Sequence, residues 1–263
     1  MISREAPRRV LVPRSPRGLS ELLAAHPSAL LVAGGTIAFP LWRARGAPDT
    51  VMHLGAVAGL DVMTPNRCGT SVRLEALRRD EAIPRAVRQA AGSVGGPAIR
   101  AMATVGGNTI AARPGCVAVA LLAIDAQALV TPRAGDGKPV SVPVRDVLGA
   151  DDLVLTSIHW ANPDASAFSK VAVRAAGGPN ILSAAVSRRT GMRGIAIGAP
   201  GSVPHRLHSA ETLWRQGETV ELIARAAARE AVVSDTGSAS GDYRRAVVTT
   251  LVRRLINEVE GNT

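Results

Sequence analysis

Thr104-Val105-Gly106-Gly107-Asn108 is the stretch that decides how this chain folds, with Ala33-Gly34-Gly35-Thr36 as its counterpart earlier in the sequence. Each sets small residues side by side between apolar runs, so the backbone can approach a ligand closely and offer its N–H groups to an anion. Leu30-Leu31-Val32-Ala33 reads as a buried strand that empties into Gly34-Gly35-Thr36. Ile37 to Arg45 follows as a helix, with Pro40 in its first turn and Gly46 as its stop. Strand, glycine turn and helix N-terminus in succession accommodate phosphate. Two such loops brought together make a cradle.

The bulk composition limits what the cradle can hold. With 263 residues and a hydrophobic fraction of 46%, the chain has material for one large domain or several small ones. Aromatic residues are only 2%, so a bound ring is expected to be gripped by backbone and aliphatic groups. The net charge of +10 comes almost wholly from arginine, Lys138 and Lys170 being the only lysines. These arginines stand in ones and twos with no interleaved aromatic stripe, which argues against nucleic acid and for a solvated surface or an acidic partner. Cys68 and Cys116 are too few for a disulfide framework or for an iron–sulfur cluster, which needs four ligands. No apolar run reaches membrane length and the N-terminus lacks a signal-peptide core, so no membrane insertion and a cytoplasmic location are expected.

Outward from the glycine stretches, Val10-Leu11-Val12 is a short strand, and Ser15-Pro16 caps a helix that ends at Pro27. Thr50 to Leu54 is a further strand, whereas Gly55 to Arg79 is weakly patterned and Cys68 within it reads as a buried thiol. Ile83 to Ala91 has helical spacing, and Thr104 to Asn108 reads as a loop followed by a turn region, Thr109 to Pro114. Ala118 to Ile124 is a short apolar helix. Gln127 to Thr131 and Leu153 to Ile158 are strands flanking a hairpin or surface loop, Pro132 to Pro143. Ala161-Asn162-Pro163-Asp164 marks a domain boundary. Beyond it come three strands, Phe168 to Val173, Ile181 to Ser187 and Met192 to Ala199, then helices Val220 to Ala231 and Tyr243 to Val259. In the last, Tyr243, Val247, Leu251, Leu255 and Val259 form one apolar row, while Arg244, Arg245, Arg253 and Arg254 interrupt it.

Several chemistries are disfavoured. A Gly-x-Gly-x-x-Gly fingerprint, a Walker loop and a Gly-x-Ser-x-Gly elbow are all missing, and His205 with His208 lacks a third ligand at metal spacing. No metal ligands and no catalytic acid, base or nucleophile are assigned, which suits a protein that holds a cofactor and lets it react.

Taken in order, Val32 to Thr36, Ala98 to Asn108, Pro114 and Ala120 to Ala126 resemble the FAD-binding medium subunit of molybdenum-containing hydroxylases, the family that includes the flavoprotein subunits of carbon monoxide dehydrogenase and xanthine dehydrogenase. Phe168-Ser169-Lys170 with Arg174, Ile195 to Ala199, and Asp235 with Ser240 to Arg245 extend the resemblance over nearly the whole chain. It implies an α+β fold: a PCMH-type FAD-binding domain of two α+β subdomains over residues 1–162, then a small α+β C-terminal domain over 163–263. It implies noncovalent FAD, with Ala33, Gly34, Gly35, Thr36 and Ile37 at the pyrophosphate, and Thr104, Gly106, Gly107 and Asn108 at the pyrophosphate and ribityl region. Lys170 matches a lysine near the flavin ring. The implied partners are a large molybdenum-cofactor subunit and a small [2Fe-2S] subunit, from whose clusters electrons pass through FAD to an acceptor.

The sequence departs from the family at Val117, where an Asp is usual, at Val119, where a proline is usual, and at Ala111, which has no side-chain donor. Loss of the carboxylate is expected to weaken FAD binding by roughly 1–3 kcal/mol, with Val117→Asp restoring it. The alternative is therefore a degenerate, FAD-poor docking subunit of such a complex.

Overall fold

Three short parallel strands carry the first glycine loop. In the computed structural model, which describes residues 6–111, 115–133, 138–174 and 178–261, the chain opens with β1 (Arg9–Leu11) and α1 (Pro16–Ala25). There follow β2 (Leu30–Val32), α2 (Ala38–Arg45) and β3 (Thr50–His53). β3 lies between β1 and β2, all parallel. Ser15 caps α1 as its sequence predicts, its hydroxyl accepting from the Gly18 N–H at 3.1 Å. Leu19 and Leu23 then pack with Met52, Leu54 and Val154 into a small core.

The stretch that looks unpatterned is structured. It holds β4 (Met63–Thr64), β5 (Arg67–Gly69) and α3 (Leu74–Arg79). Its strands are too short for their period to show in the sequence, and they are held by pairing with a strand far along the chain. Next come α4 (Arg85–Gly92), α5 (Pro97–Met102), α6 (Val105–Ile110) and α7 (Cys116–Ala123). β6 (Gln127–Pro132), β7 (Val140–Pro143) and β8 (Leu153–His159) complete a five-stranded sheet in the order β4-β5-β8-β6-β7. Every residue of α7 is buried, which explains why it is apolar all round. Cys68 packs beside it, and burial pushes its thiol up to about 12.

Thr104 to Asn108 is not a loop. Thr104 is the N-cap of α6 and the glycine pair is its first turn, because the Thr104 hydroxyl accepts from the Gly107 N–H at 3.2 Å. Pro114 lies outside the described residues.

The remaining chain forms β9 (Ala165–Ala172), β10 (Asn180–Arg189), β11 (Met192–Gly198) and β12 (His205–Arg206), antiparallel in the order β12-β11-β10-β9. α8 (His208–Arg215), which the sequence reading did not anticipate, and α10 (Gly241–Glu260) pack against this sheet, and α9 (Val220–Glu230) packs on those two helices in the same core. β9 is an edge strand, and α4 covers it: the Phe168 N–H donates to Gln89 Oε1 at 2.8 Å, and the Ala86 N–H to Ser166 Oγ at 3.1 Å.

Two residues of α10 exchange the environments expected for them. Tyr243 is half exposed, and Arg244 is fully buried. Arg244 Nε donates to the Ile181 carbonyl at 3.0 Å, and its two terminal nitrogens donate to the Ala239 and Ser234 carbonyls and to the Thr236 and Ser238 hydroxyls. A planar five-donor group meets five acceptors, which is what allows the charge to be buried. Replacing Arg244 with Met should cost about 3 kcal/mol, because buried carbonyls lose their donor, and Lys should not restore it. Urea unfolding of the two variants checks this.

Candidate functional site

The two glycine stretches meet at one backbone contact. A Cβ on Gly34 would lie 2.0 Å from the Met102 carbonyl oxygen and 3.1 Å from Ala103 Cα, so only glycine lets the turn after β2 rest on the end of α5. The Arg73 guanidinium donates to the same Met102 carbonyl. This contact places the first loop beside Thr104. Ala33, Gly34, Gly35, Thr36, Ile37, Thr104, Gly107 and Asn108 all line one cleft of about 400 Å³. Its walls are mainly apolar, with Leu31, Leu41 and Trp42 from the first sheet and its helix, and opposite them Val94 from the α4–α5 turn, Ile99 from α5 and Ile110 from α6.

The two stretches differ in where their backbone N–H groups go. Among the described residues, the backbone N–H groups of Gly34, Gly35, Thr36 and Ile37 have no acceptor. The four N–H groups of Val105 to Asn108 are spent inside the protein. Val105 N donates to Val72 O at 3.0 Å, Gly106 N to Thr70 O at 2.9 Å, Gly107 N to the Thr104 hydroxyl and Asn108 N to Thr104 O. The two stretches therefore differ: Gly34 to Ile37 leave their N–H groups without protein acceptors, whereas Val105 to Asn108 do not. The reason is the helix: a capped first turn anchored on the Thr70 to Val72 segment satisfies the donors an open turn would leave free.

Gly106 does not line the cleft; it is buried, packed on Thr70. Asn108 lines it, but its Oδ1 accepts from the Val117 N–H at 2.9 Å and so caps α7, whose N-cap residue, Gly115, has no side chain to do so. Lys170, on β9, is not in the lining. Its ammonium donates to the Ser93 carbonyl at 3.4 Å, next in sequence to Val94, which is.

The Val117 side chain is fully buried in the core cluster around α7. An Asp there would lie among apolar groups, which removes the expectation that Val117→Asp supplies a cofactor contact. His205 and His208 also have other engagements: His205 Nε2 accepts from the Val232 N–H, and His208 Nδ1 lies 3.2 Å from Glu211 Oε2.

One organiser of the cleft wall went unrecognised in the sequence. Arg100, on α5, is almost buried and joins Glu75 at 2.9 Å while collecting the Gly95 carbonyl at 2.7 Å and the Gly92 carbonyl at 3.3 Å. This fixes the turn between α4 and α5 that presents Val94 and Ile99. Glu75 also bonds Arg78 and Arg79, and its hydrogen bonds from Arg78 first and Arg100 next hold its carboxyl down at about 2. The only sequence signal was an arginine within an otherwise apolar hexapeptide.

Residues 6–150 match the family model described as the FAD binding domain in molybdopterin dehydrogenase. The chain belongs to that family. The protein YgfM of Escherichia coli strain K12 is 31% identical over 193 residues, which is 72% of this chain and 71% of that one. Among solved structures, this family member is similar to a chain of CO dehydrogenase from Oligotropha carboxidovorans, with a TM-score of 0.86 at 18% identity over the full length of both. A chain of quinoline 2-oxidoreductase from Pseudomonas putida 86 gives 0.84 at 20% identity over 99% of each. These likenesses show an α+β fold shared from end to end.

The cofactor of the family is FAD, and the cleft suits it. A run of unpartnered amides at the start of an eight-residue helix matches a diphosphate, and apolar walls on both sides match flat rings. Replacing Gly34 with Ala should push the β2–α2 turn off the Met102 carbonyl, costing about 1–3 kcal/mol in urea unfolding. Val117→Asp should lower stability by about 3 kcal/mol or more through a buried, unpaired carboxylate, as read by thermal unfolding.

Proposed function

We propose that this chain is the FAD-binding subunit of a heteromeric molybdenum-containing hydroxylase, passing electrons received from partner [2Fe-2S] clusters to an acceptor. Residues 1–162 are its PCMH-type domain and 163–263 its C-terminal domain. The observation that carries this reading is the row of free amides at Gly34, Gly35, Thr36 and Ile37, opening into the cleft shared with Thr104, Gly107 and Asn108.

Bound there, FAD supplies the redox chemistry. The chain's own residues bind and orient: Ala33 to Ile37 take the diphosphate through main-chain donors, and Thr104 holds the opposite wall through its cap on α6. Gly107 keeps that wall free of a side chain. The Asn108 carboxamide, its oxygen occupied by α7, has its NH2 group left for the ribityl region. Lys170 brings positive charge to the end of the cleft beside Val94, where it favours a reduced, more negative flavin.

The clusters and the molybdenum cofactor belong on a small and a large partner. Two buried cysteines are too few for a cluster, and among the described residues no group of three or more His, Cys, Asp or Glu could hold a metal. No helix of the described residues is long and apolar enough to cross a membrane, and the basic, arginine-rich surface suits docking to an acidic partner rather than insertion.

A second reading, an FAD-poor docking subunit, is favoured by the internal pairing of the Val105, Gly106, Gly107 and Asn108 amides. One experiment separates the two. The purified chain should take up FAD stoichiometrically, show flavin absorbance after gel filtration, and gain about 2.7 kcal/mol of stability at a free FAD concentration a hundredfold above its Kd. Failure to retain FAD while still co-purifying with its partners selects the docking subunit.

A further inference from the structure

Helix α2 is unlike every other helix of eight or more residues described: it has no buried residue. It is nevertheless apolar along much of its length, with Phe39, Leu41 and Trp42, and Ile37 as its N-cap. Eight residues do not hold a helix in water without tertiary packing, so this surface calls for a partner. Leu41 and Trp42 face the cleft, while Phe39 stands edge-on to Trp42 with ring centroids 4.9 Å apart and planes at 72°. Trp42 Nε1 is shielded from water yet has no hydrogen-bond partner. Left-handed glycines, Gly35 with φ +71° and Gly46 with φ +89°, bracket the helix at its two ends. Two of the few aromatic side chains stand on this one helix, and Trp42 lines the cleft beside its aliphatic walls.

We propose that α2 is the movable wall of the cleft and that it closes on the adenine half of the cofactor, stacking Trp42 on the base. This rests on the assignment of the chain as an FAD-binding subunit. The occupant follows from position. The free amides of Gly34 to Ile37 fix a diphosphate at the start of α2, so the group attached to that diphosphate lies along the helix's cleft face. A flat heteroaromatic base covers the indole face and takes it out of water. Gly35 and Gly46 let the helix swing as a unit, since neither end is held by a packed side chain.

ADP, which carries the base and the diphosphate without the flavin, is the probe. In the wild-type chain, amide hydrogen exchange across residues 36–46 should be fast alone and slow at least about tenfold on saturation with ADP or FAD. Trp42→Ala should weaken both ligands by about tenfold or more, and Trp42→Phe should recover most of that loss, because stacking survives while the N–H does not. The fold is not at stake in these variants, since α2 contributes nothing to the core. If FAD binds but α2 exchanges equally fast with and without ADP, or Trp42→Ala leaves ADP affinity unchanged, the clamp is overturned while the FAD assignment stands. If the wild type binds neither FAD nor ADP, both fall.

Discussion

Everything at the site depends on how closely the Gly34 backbone approaches the Met102 carbonyl. That contact joins two layers, a three-stranded parallel sheet and a five-stranded antiparallel sheet with its helices, which also meet where Val154 enters the first sheet's core and where Arg133 donates to the Pro27 and Ala29 carbonyls. Close packing of main chain on main chain leaves no slack, so the turn after β2 and the cap of α6 hold a fixed spacing. The cleft is the space left above that contact. Its shape is thus a backbone property, and the side chains around it adjust hydrophobicity and grip rather than create the opening.

Division of labour across the cleft follows from which amides are spent. α6 pairs all its early N–H groups with Thr70, Val72 and its own Thr104 cap, making a rigid wall that offers little to an anion. The turn after β2 leaves its amides free and leads into a helix with no core contact. One side is therefore an anvil and the other a receptor. Rigidity where the carbonyl of Met102 must be met, and unsatisfied donors on the facing turn, are opposite outcomes of two similar glycine sequences.

The third layer bears on the site from behind. Ser187 Oγ donates to the Ala123 carbonyl at the end of α7, and Arg206 bridges Asp125 at 2.6 Å to the buried Glu211. Asp125 is the described non-glycine residue with a left-handed backbone, φ 58°, which turns its carboxylate toward that arginine. Together with α4 along the edge of β9, these contacts fix α7 and the α4–α5 turn, and through Asn108 and Arg100 they reach the cleft walls. Arg244 performs the same service within the third layer, tying the loop before α10 to β10.

The helices and longer strands were legible in the sequence because their apolar periods are long enough to register, and because Ser15, Gly46 and Pro27 mark their ends with local chemistry. So were the importance of the two glycine stretches and the family they announce, since small-residue runs between apolar segments carry their meaning within a few neighbours. What the sequence could not determine were properties set by distant partners. Strand β5 is held by β8 and β4 in turn by β5; Val105 to Asn108 is helical because Thr70 and Val72 accept its first amides; Arg244 is buried because five acceptors from β10 and the loop before α10 converge on it. Val117 was read as a lost carboxylate by its place in a motif, yet its direction is set by how α7 lies in the core. Local pattern fixes where the backbone turns and which residues are small. Only the folded chain decides which donors remain free, because a hydrogen bond is counted by its partner and the partners here come from far along the chain.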